Sequence, residues 1–187
     1  MAAARRCREC GAVLVVDECF NEFLDNGEEL TMKPYLGEFS NLVILKAFTK
    51  IYAMPGLRLG YCLCENPQII EKIRTVMQPW SVSGVAQAAG TAALEEEYYV
   101  EKVRTLIHNE RKFLFGELQK RNLRTFGSEG NFIFFRGPVG LDTKLMEKGV
   151  LIRNCDNYRG LQPGYYRIAV RGHEENQRLM KYFDECL

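Results

Sequence analysis

The chain has 187 residues, 47% of them apolar and 26% charged, which is the balance of a globular protein with room for one large domain or two small ones. It excludes a disordered tail, a collagen and a low-complexity segment. With 25 Lys and Arg against 24 Asp and Glu the net charge is +1, so no excess of either sign points to nucleic acid or to a membrane surface.

Residues 1–9 are Ala- and Arg-rich without a breaker and read as a helix, with Gly11 as its C-terminal stop. The short apolar run 12–16 fits a strand buried on both faces, and it stops at Asp17 and Glu18. Asn26-Gly27 marks a turn. Residues 41–45 form a second apolar strand and 57–63, with Gly60 inside, a third. Buried strands separated by longer stretches predict a parallel sheet with crossovers, hence α/β. Asn66-Pro67 opens a helix with Ile69, Ile70 and Ile73 on one face. Residues 83–97 form a second helix and 98–122 a long third one, carrying Val103, Leu106, Ile107, Phe113, Leu114 and Leu118. After it the texture changes: strand 131–135, helix 141–148 closed by Gly149, strands 150–153 and 165–170, and a final helix 174–187. That succession is the grammar of a small α+β domain. The expected organisation is therefore 1–97, part of a larger α/β domain, and 98–187, a linking helix with a small domain.

Two negative readings bound the function. No apolar run approaches the ~18 residues of a membrane helix, and the charged N-terminus lacks the apolar core of a secretory signal, so a cytoplasmic location is expected. The seven cysteines are odd in number and irregular in spacing, which suits reduced thiols. Cys7-x-x-Cys10 lacks the second pair or the His partner that a zinc site requires, so no metal is expected.

The chemistry concentrates in residues 46–61. Lys50 lies just past a strand, and Arg58 follows eight residues later at the head of the next. A lysine at a strand end can be desolvated, which disfavours the ammonium and frees an amine to condense with an aldehyde. A guanidinium beside it can bind a phosphate through two parallel hydrogen bonds. Asp17 closes the first strand, and ligands of open α/β sheets sit at the carboxyl ends of strands. A carboxylate aimed at a pyridine nitrogen keeps that nitrogen protonated, so that the ring draws electrons from a neighbouring carbanion. Lysine, arginine and aspartate together describe a pyridoxal phosphate site, although each alone is also a common surface or capping residue.

Val15-Val-Asp-Glu-Cys-Phe-Asn-Glu-Phe23 followed by Thr49-Lys-Ile-Tyr-Ala-Met-Pro-Gly-Leu-Arg-Leu-Gly-Tyr61 resembles the fold-type I pyridoxal phosphate enzymes, in the branch of histidinol-phosphate aminotransferase and threonine-phosphate decarboxylase. The resemblance implies a partial large cofactor-binding domain with a small C-terminal α+β domain. It implies pyridoxal 5'-phosphate as cofactor, attached to Lys50, paired with Asp17 at its ring nitrogen and held at its phosphate by Arg58 and Thr49. Arg167 is then the ligand of the substrate carboxylate, Arg153 a second anion ligand, and Asn157 a further residue lining the site. Pro55, the segment 79–82 and the tail from 150 to 179 are similar to the decarboxylase. These imply decarboxylation of an amino-acid phosphate, O-phospho-threonine, on the way to cobalamin, by a homodimer that binds neither nucleic acid nor membrane. The alternatives are an aminotransferase of the histidinol-phosphate type and a non-catalytic fragment. Two positions depart from the pattern. Ala47 replaces the usual Ser or Thr three residues before the lysine, removing one phosphate hydrogen bond, and Phe20 replaces the Tyr of many aminotransferases, as the decarboxylases also do. Family chains begin well upstream, so the sequence is expected to be the C-terminal part of a longer or split enzyme.

Overall fold

The computed structural model describes residues 1–187, and it divides them into two compact units, Met1–Glu101 and Lys102–Leu187. In the first, helix α1 (Ala2–Glu9) precedes strand β1 (Leu14–Asp17), and Gly11 turns the chain between them at φ +66°. Short helical turns at Asn21–Phe23, Gly27–Leu30 (α2) and Lys33–Tyr35 lead to β2 (Leu42–Ala47). A 3-10 turn at Pro55–Leu57 precedes β3 (Gly60–Leu63), and helices α3 (Pro67–Val76) and α4 (Gly84–Glu95) follow. Their N-caps are side-chain hydrogen bonds: Asn66 accepts from the Gln68 amide and Ser83 from the Ala86 amide, each satisfying a donor that the first turn leaves open.

The sheet order is β1-β2-β3, with β1 and β2 parallel and β2 and β3 antiparallel. The all-parallel expectation fails at β3. A parallel return needs a crossover, usually a helix, whereas residues 48–59 hold only turns and the 3-10 segment, so the chain folds straight back. Gly60 permits the approach: a Cβ there would sit 3.0 Å from the Lys46 carbonyl. The two-sided burial expected for the first strand is also corrected. Val13 and Val15 are 48% and 54% exposed, because β1 is an edge strand covered on one face only. Its inner residues Leu14 and Val16 pack on a cluster of Ala4, Phe39, Leu42 and Ile44. Ala86 of α4 is buried, and Gly90 abuts Leu59 and Phe48. Asn26-Gly27 starts the short α2 rather than a free turn.

Helix α5 (Tyr99–Lys120) runs from the end of the first unit into the second. There β4 (Arg124–Thr125), β5 (Phe132–Arg136), α6 (Leu141–Glu147), β6 (Arg153–Asn154), β7 (Tyr165–Ala169) and α7 (His173–Cys186) follow. The sheet order is β4-β5-β7-β6, antiparallel throughout. Alternation sends Ile133, Phe135, Tyr166 and Ile168 inward, where they are buried with Leu114, Leu118, Leu141, Leu145 and Phe183. The expected strand at 150–152 does not form. The Val150 amide donates to the Leu145 carbonyl, completing the end of α6, and Leu151 is 81% exposed. No helix is long and apolar enough to cross a membrane.

Gly27 is buried, and a Cβ on it would run into the Asn21 carbonyl, while the Asn21 side chain donates to the Gly27 carbonyl at 2.6 Å. Gly27→Ala is therefore expected to destabilise the first unit by about 1–3 kcal/mol, the usual range for overpacking, read as a lower urea midpoint in circular dichroism. Gly37→Ala, where a Cβ meets nothing within 4 Å, is the control.

Candidate active site

The parallel register Leu14↔Leu42 through Asp17↔Leu45 sets the geometry of the first unit. Asp17 closes β1 at the same end of the sheet where β2 runs out at Ala47 and delivers the turn holding Thr49 and Lys50. Because β3 is antiparallel and pairs Gly60 with Ala47, Arg58 enters at that end too. Topology thus brings Asp17, Thr49, Lys50 and Arg58 to one end of one sheet.

Asp17 is exposed and forms an Asx turn in which its Oδ1 accepts the Cys19 amide at 2.9 Å. The Cys19 thiol and backbone N–H together hold its carboxyl below the usual range. In return, burial and then the Asp17 carboxylate push the Cys19 thiol up to about 11, so this cysteine is a poor nucleophile at neutral pH. Arg58 is exposed, adopts the left-handed conformation (φ 52°, ψ 41°) and donates from Nη1 to the Pro55 carbonyl at 3.3 Å. A non-glycine residue there costs about 1–2 kcal/mol, and such strain gathers at binding sites.

Lys50 is exposed and Thr49 half-buried. The dry setting expected for Lys50 is not found: the residue is exposed on the turn past β2. The buried lysine is Lys46, four residues earlier, with its side chain only 3% exposed. Its Nζ lies 3.0 Å from Glu18 Oε2 and 2.6 Å from Glu22 Oε1. Glu18 also accepts from the Thr31 hydroxyl and the Met32 amide, both at 2.7 Å. Burial pushes the Lys46 ammonium down, but its hydrogen bonds and Coulomb attraction to Glu22 and Glu18 outweigh that and hold it protonated above the ordinary range. Burial likewise pushes Glu18 up, and the Met32 amide, Thr31 hydroxyl and Lys46 reverse it, leaving the carboxyl below its ordinary value. The triad escaped the sequence reading; its signal was a lysine closing a buried apolar run and a glutamate directly after Asp17.

In the second unit Arg153 and Arg167 stand directly opposite each other across β6 and β7, both exposed on the face away from the core. Arg153 donates to Asn157 Oδ1 at 3.2 Å and lies over the Tyr158 ring; Arg167 lies 4.9 Å over the Phe132 ring. The structure thus joins Arg153, Arg167 and Asn157 in one cluster. Their partners are an amide and aromatic faces rather than carboxylates. Like charges placed opposite each other on a ladder are destabilising, so the pair is suited to an anionic ligand. Arg124 and Arg136, also opposite each other, share that face with Tyr165.

The class I and II aminotransferase model matches residues 1–183. The chain belongs to that family. It is 32% identical over 183 residues to the threonine-phosphate decarboxylase of Salmonella typhimurium, a match covering 96% of this chain and 50% of that one. Relatives of comparable identity are named histidinol-phosphate aminotransferase. The crystal structure of histidinol-phosphate aminotransferase from Clostridium acetobutylicum superposes with a TM-score of 0.90 at 28% identity, covering 98% of this chain and 57% of that one. The enzyme of that name from Sinorhizobium meliloti, with pyridoxal 5'-phosphate bound, superposes at 0.81 and 24% identity, over 98% and 52% of the two chains. The chain spans about half the length of the curated relatives it matches.

The fold is therefore that of the fold-type I enzymes, over part of their length, and the family's cofactor is pyridoxal 5'-phosphate. The donor set fits it: one primary amine, one guanidinium and one carboxylate held ionised meet at the same sheet end.

An ionised Glu18 stabilises the fold. Because its folded pKa lies below that of an unfolded glutamate, near ~4.3, the contribution is complete above that value and vanishes as pH falls through the lowered one. The melting temperature of this segment is expected to hold from neutral pH to about 5 and to fall on further acidification. In Glu18→Gln the acid limb should be shallower, from a lower starting temperature; an unchanged limb would reject Glu18 as its source.

Proposed function

We propose that the enzyme containing this chain decarboxylates L-threonine O-3-phosphate to (R)-1-aminopropan-2-yl phosphate, a step towards cobalamin. The observation that carries this reading is the Arg153–Arg167 pair. Two guanidinium groups on one face suit a small substrate bearing both a carboxylate and a phosphate. Pro55 and the segment 79–82 support the same branch.

The reading gives each residue a task. Asp17, kept ionised by Cys19, would pair with the protonated ring nitrogen of the cofactor. Arg58 pairs with the cofactor phosphate, and the Thr49 hydroxyl donates to it. Lys50 would supply the primary amine that holds the cofactor. When bound, pyridoxal phosphate provides an electron sink for the pair left on the substrate's α-carbon as the carboxylate departs as carbon dioxide. Arg167 holds that carboxylate, Arg153 and Asn157 hold the second anion, and Lys50 delivers the proton that replaces carbon dioxide on the α-carbon. A homodimer is the proposed assembly, supported by exposed apolar side chains at Val76, Trp80 and Val85.

Borohydride treatment with pyridoxal 5'-phosphate is expected to fix pyridoxyl label on the peptide holding Lys50, and Lys50→Ala should abolish it. Label on another lysine would remove Lys50 from its role. In the full-length enzyme, O-phospho-threonine should release carbon dioxide; conversion of histidinol phosphate to its ketone, with amination of a 2-oxo acid, would instead establish the aminotransferase. Arg167→Ala should lower kcat/KM for O-phospho-threonine by about tenfold to a hundredfold, as expected for losing a hydrogen bond to a charged group.

A further inference from the structure

We propose that Lys46 is a positioning residue for Asp17: bridging Glu18 and Glu22, it locks the turn that carries the exposed carboxylate onto the strand that leads to Lys50. The proposal rests on the reading of Asp17 as the partner of the cofactor ring.

Three observations support it. First, the inward positions of the β1–β2 ladder are apolar at Leu14, Val16, Leu42 and Ile44, and polarity enters only at its carboxyl end, with Glu18 beside Lys46. A buried ion pair stabilises no better than apolar residues of similar size, and its best-attested use is to fix register. Here it sits where register matters for chemistry. Second, Glu18 is held at every polar atom. Its amide donates to the Leu45 carbonyl at 3.0 Å, Oε1 takes the Met32 amide, and Oε2 takes the Thr31 hydroxyl and Lys46. Third, Asp17 and Glu18 are adjacent, and along a strand adjacent side chains point to opposite faces. Fixing Glu18 on the inner face therefore fixes the side on which Asp17 stands. Glu22, on the 3-10 turn that follows, closes the far end of the same loop through its 2.6 Å contact with Lys46.

Cys19 offers a readout that needs no cofactor. Burial, then the Asp17 carboxylate and Glu22, push its thiol up, while Lys46 draws it down; loss of the Lys46 charge alone would therefore slow its reaction, and a faster reaction in a folded Lys46 variant reports that Asp17 has left its place. A thiol pKa lower by about one unit gives about tenfold more thiolate below that pKa. Alkylation by iodoacetamide near pH 8, followed by peptide mapping, should therefore be severalfold faster at Cys19 in Lys46→Met than in the parent. Lys46→Arg should restore the parental rate to within about twofold, since a guanidinium can hold both carboxylates. Glu22→Gln keeps the Lys46–Glu18 pair but removes a charge that itself raises the Cys19 thiol, so in this variant weaker cofactor binding than in the parent, not the Cys19 rate, decides the matter should Lys46→Met fail to fold. Titration with pyridoxal 5'-phosphate, followed by its visible absorption, should show weaker binding in the same order. Folded variants, with parental melting curves, that leave both the Cys19 rate and the cofactor affinity unchanged would overturn the proposal. If the parent itself takes up no cofactor, the cofactor reading falls, and the Cys19 rates alone judge the role of Lys46.

Discussion

The parallel pairing of β1 with β2 decides where the chemistry of the first unit can be. Its register sets Asp17 beside Leu45, and from that one alignment the rest follows. The turn with Thr49 and Lys50 leaves β2 just beyond, and the antiparallel β3 brings Arg58 back to the same end. A slip of one residue would turn Asp17 inward and expose Glu18, because side-chain direction alternates along a strand. The buried ion pair of Glu18 and Lys46, joined by the half-buried Glu22, penalises that slip, since it would strand unpaired charges in a low-dielectric interior.

The second unit solves a different problem with the same alternation. One face of its sheet is buried under α-helices and is apolar; the other presents arginines laid over aromatic rings. A guanidinium stacked on a ring is partly desolvated and conformationally narrowed before any ligand arrives, which lowers the entropic cost of gripping a carboxylate or phosphate.

Much of this was legible from residues alone. Continuous apolar runs located β1, β2, β5 and β7, and Asn66, Ser83 and Gly149 marked helix ends as capping chemistry requires. The grouping of Asp17, Lys50 and Arg58 followed from strand ends. What could not be read were properties of pairing and cover. The direction of β3 depends on a link without a helix. The exposure of Val15 depends on its strand lying at a sheet margin. The two-residue β4 has no periodicity to detect. The run at Val150–Ile152 looks like a strand because apolar content does not reveal that the first amide is already taken by Leu145. Lys46 and Lys50 are both lysines at the end of one apolar run, and only the fold shows that the first is buried and the second is not.

The outer margin of β1 has a further implication. Its order in the sheet leaves one row of peptide groups without a strand partner, flanked by the apolar surface of Val13 and Val15. Such a margin is a template on which any extended chain can hydrogen-bond. Whatever polypeptide pairs with it, in the same molecule or another, would cover the backbone on which Asp17 is mounted.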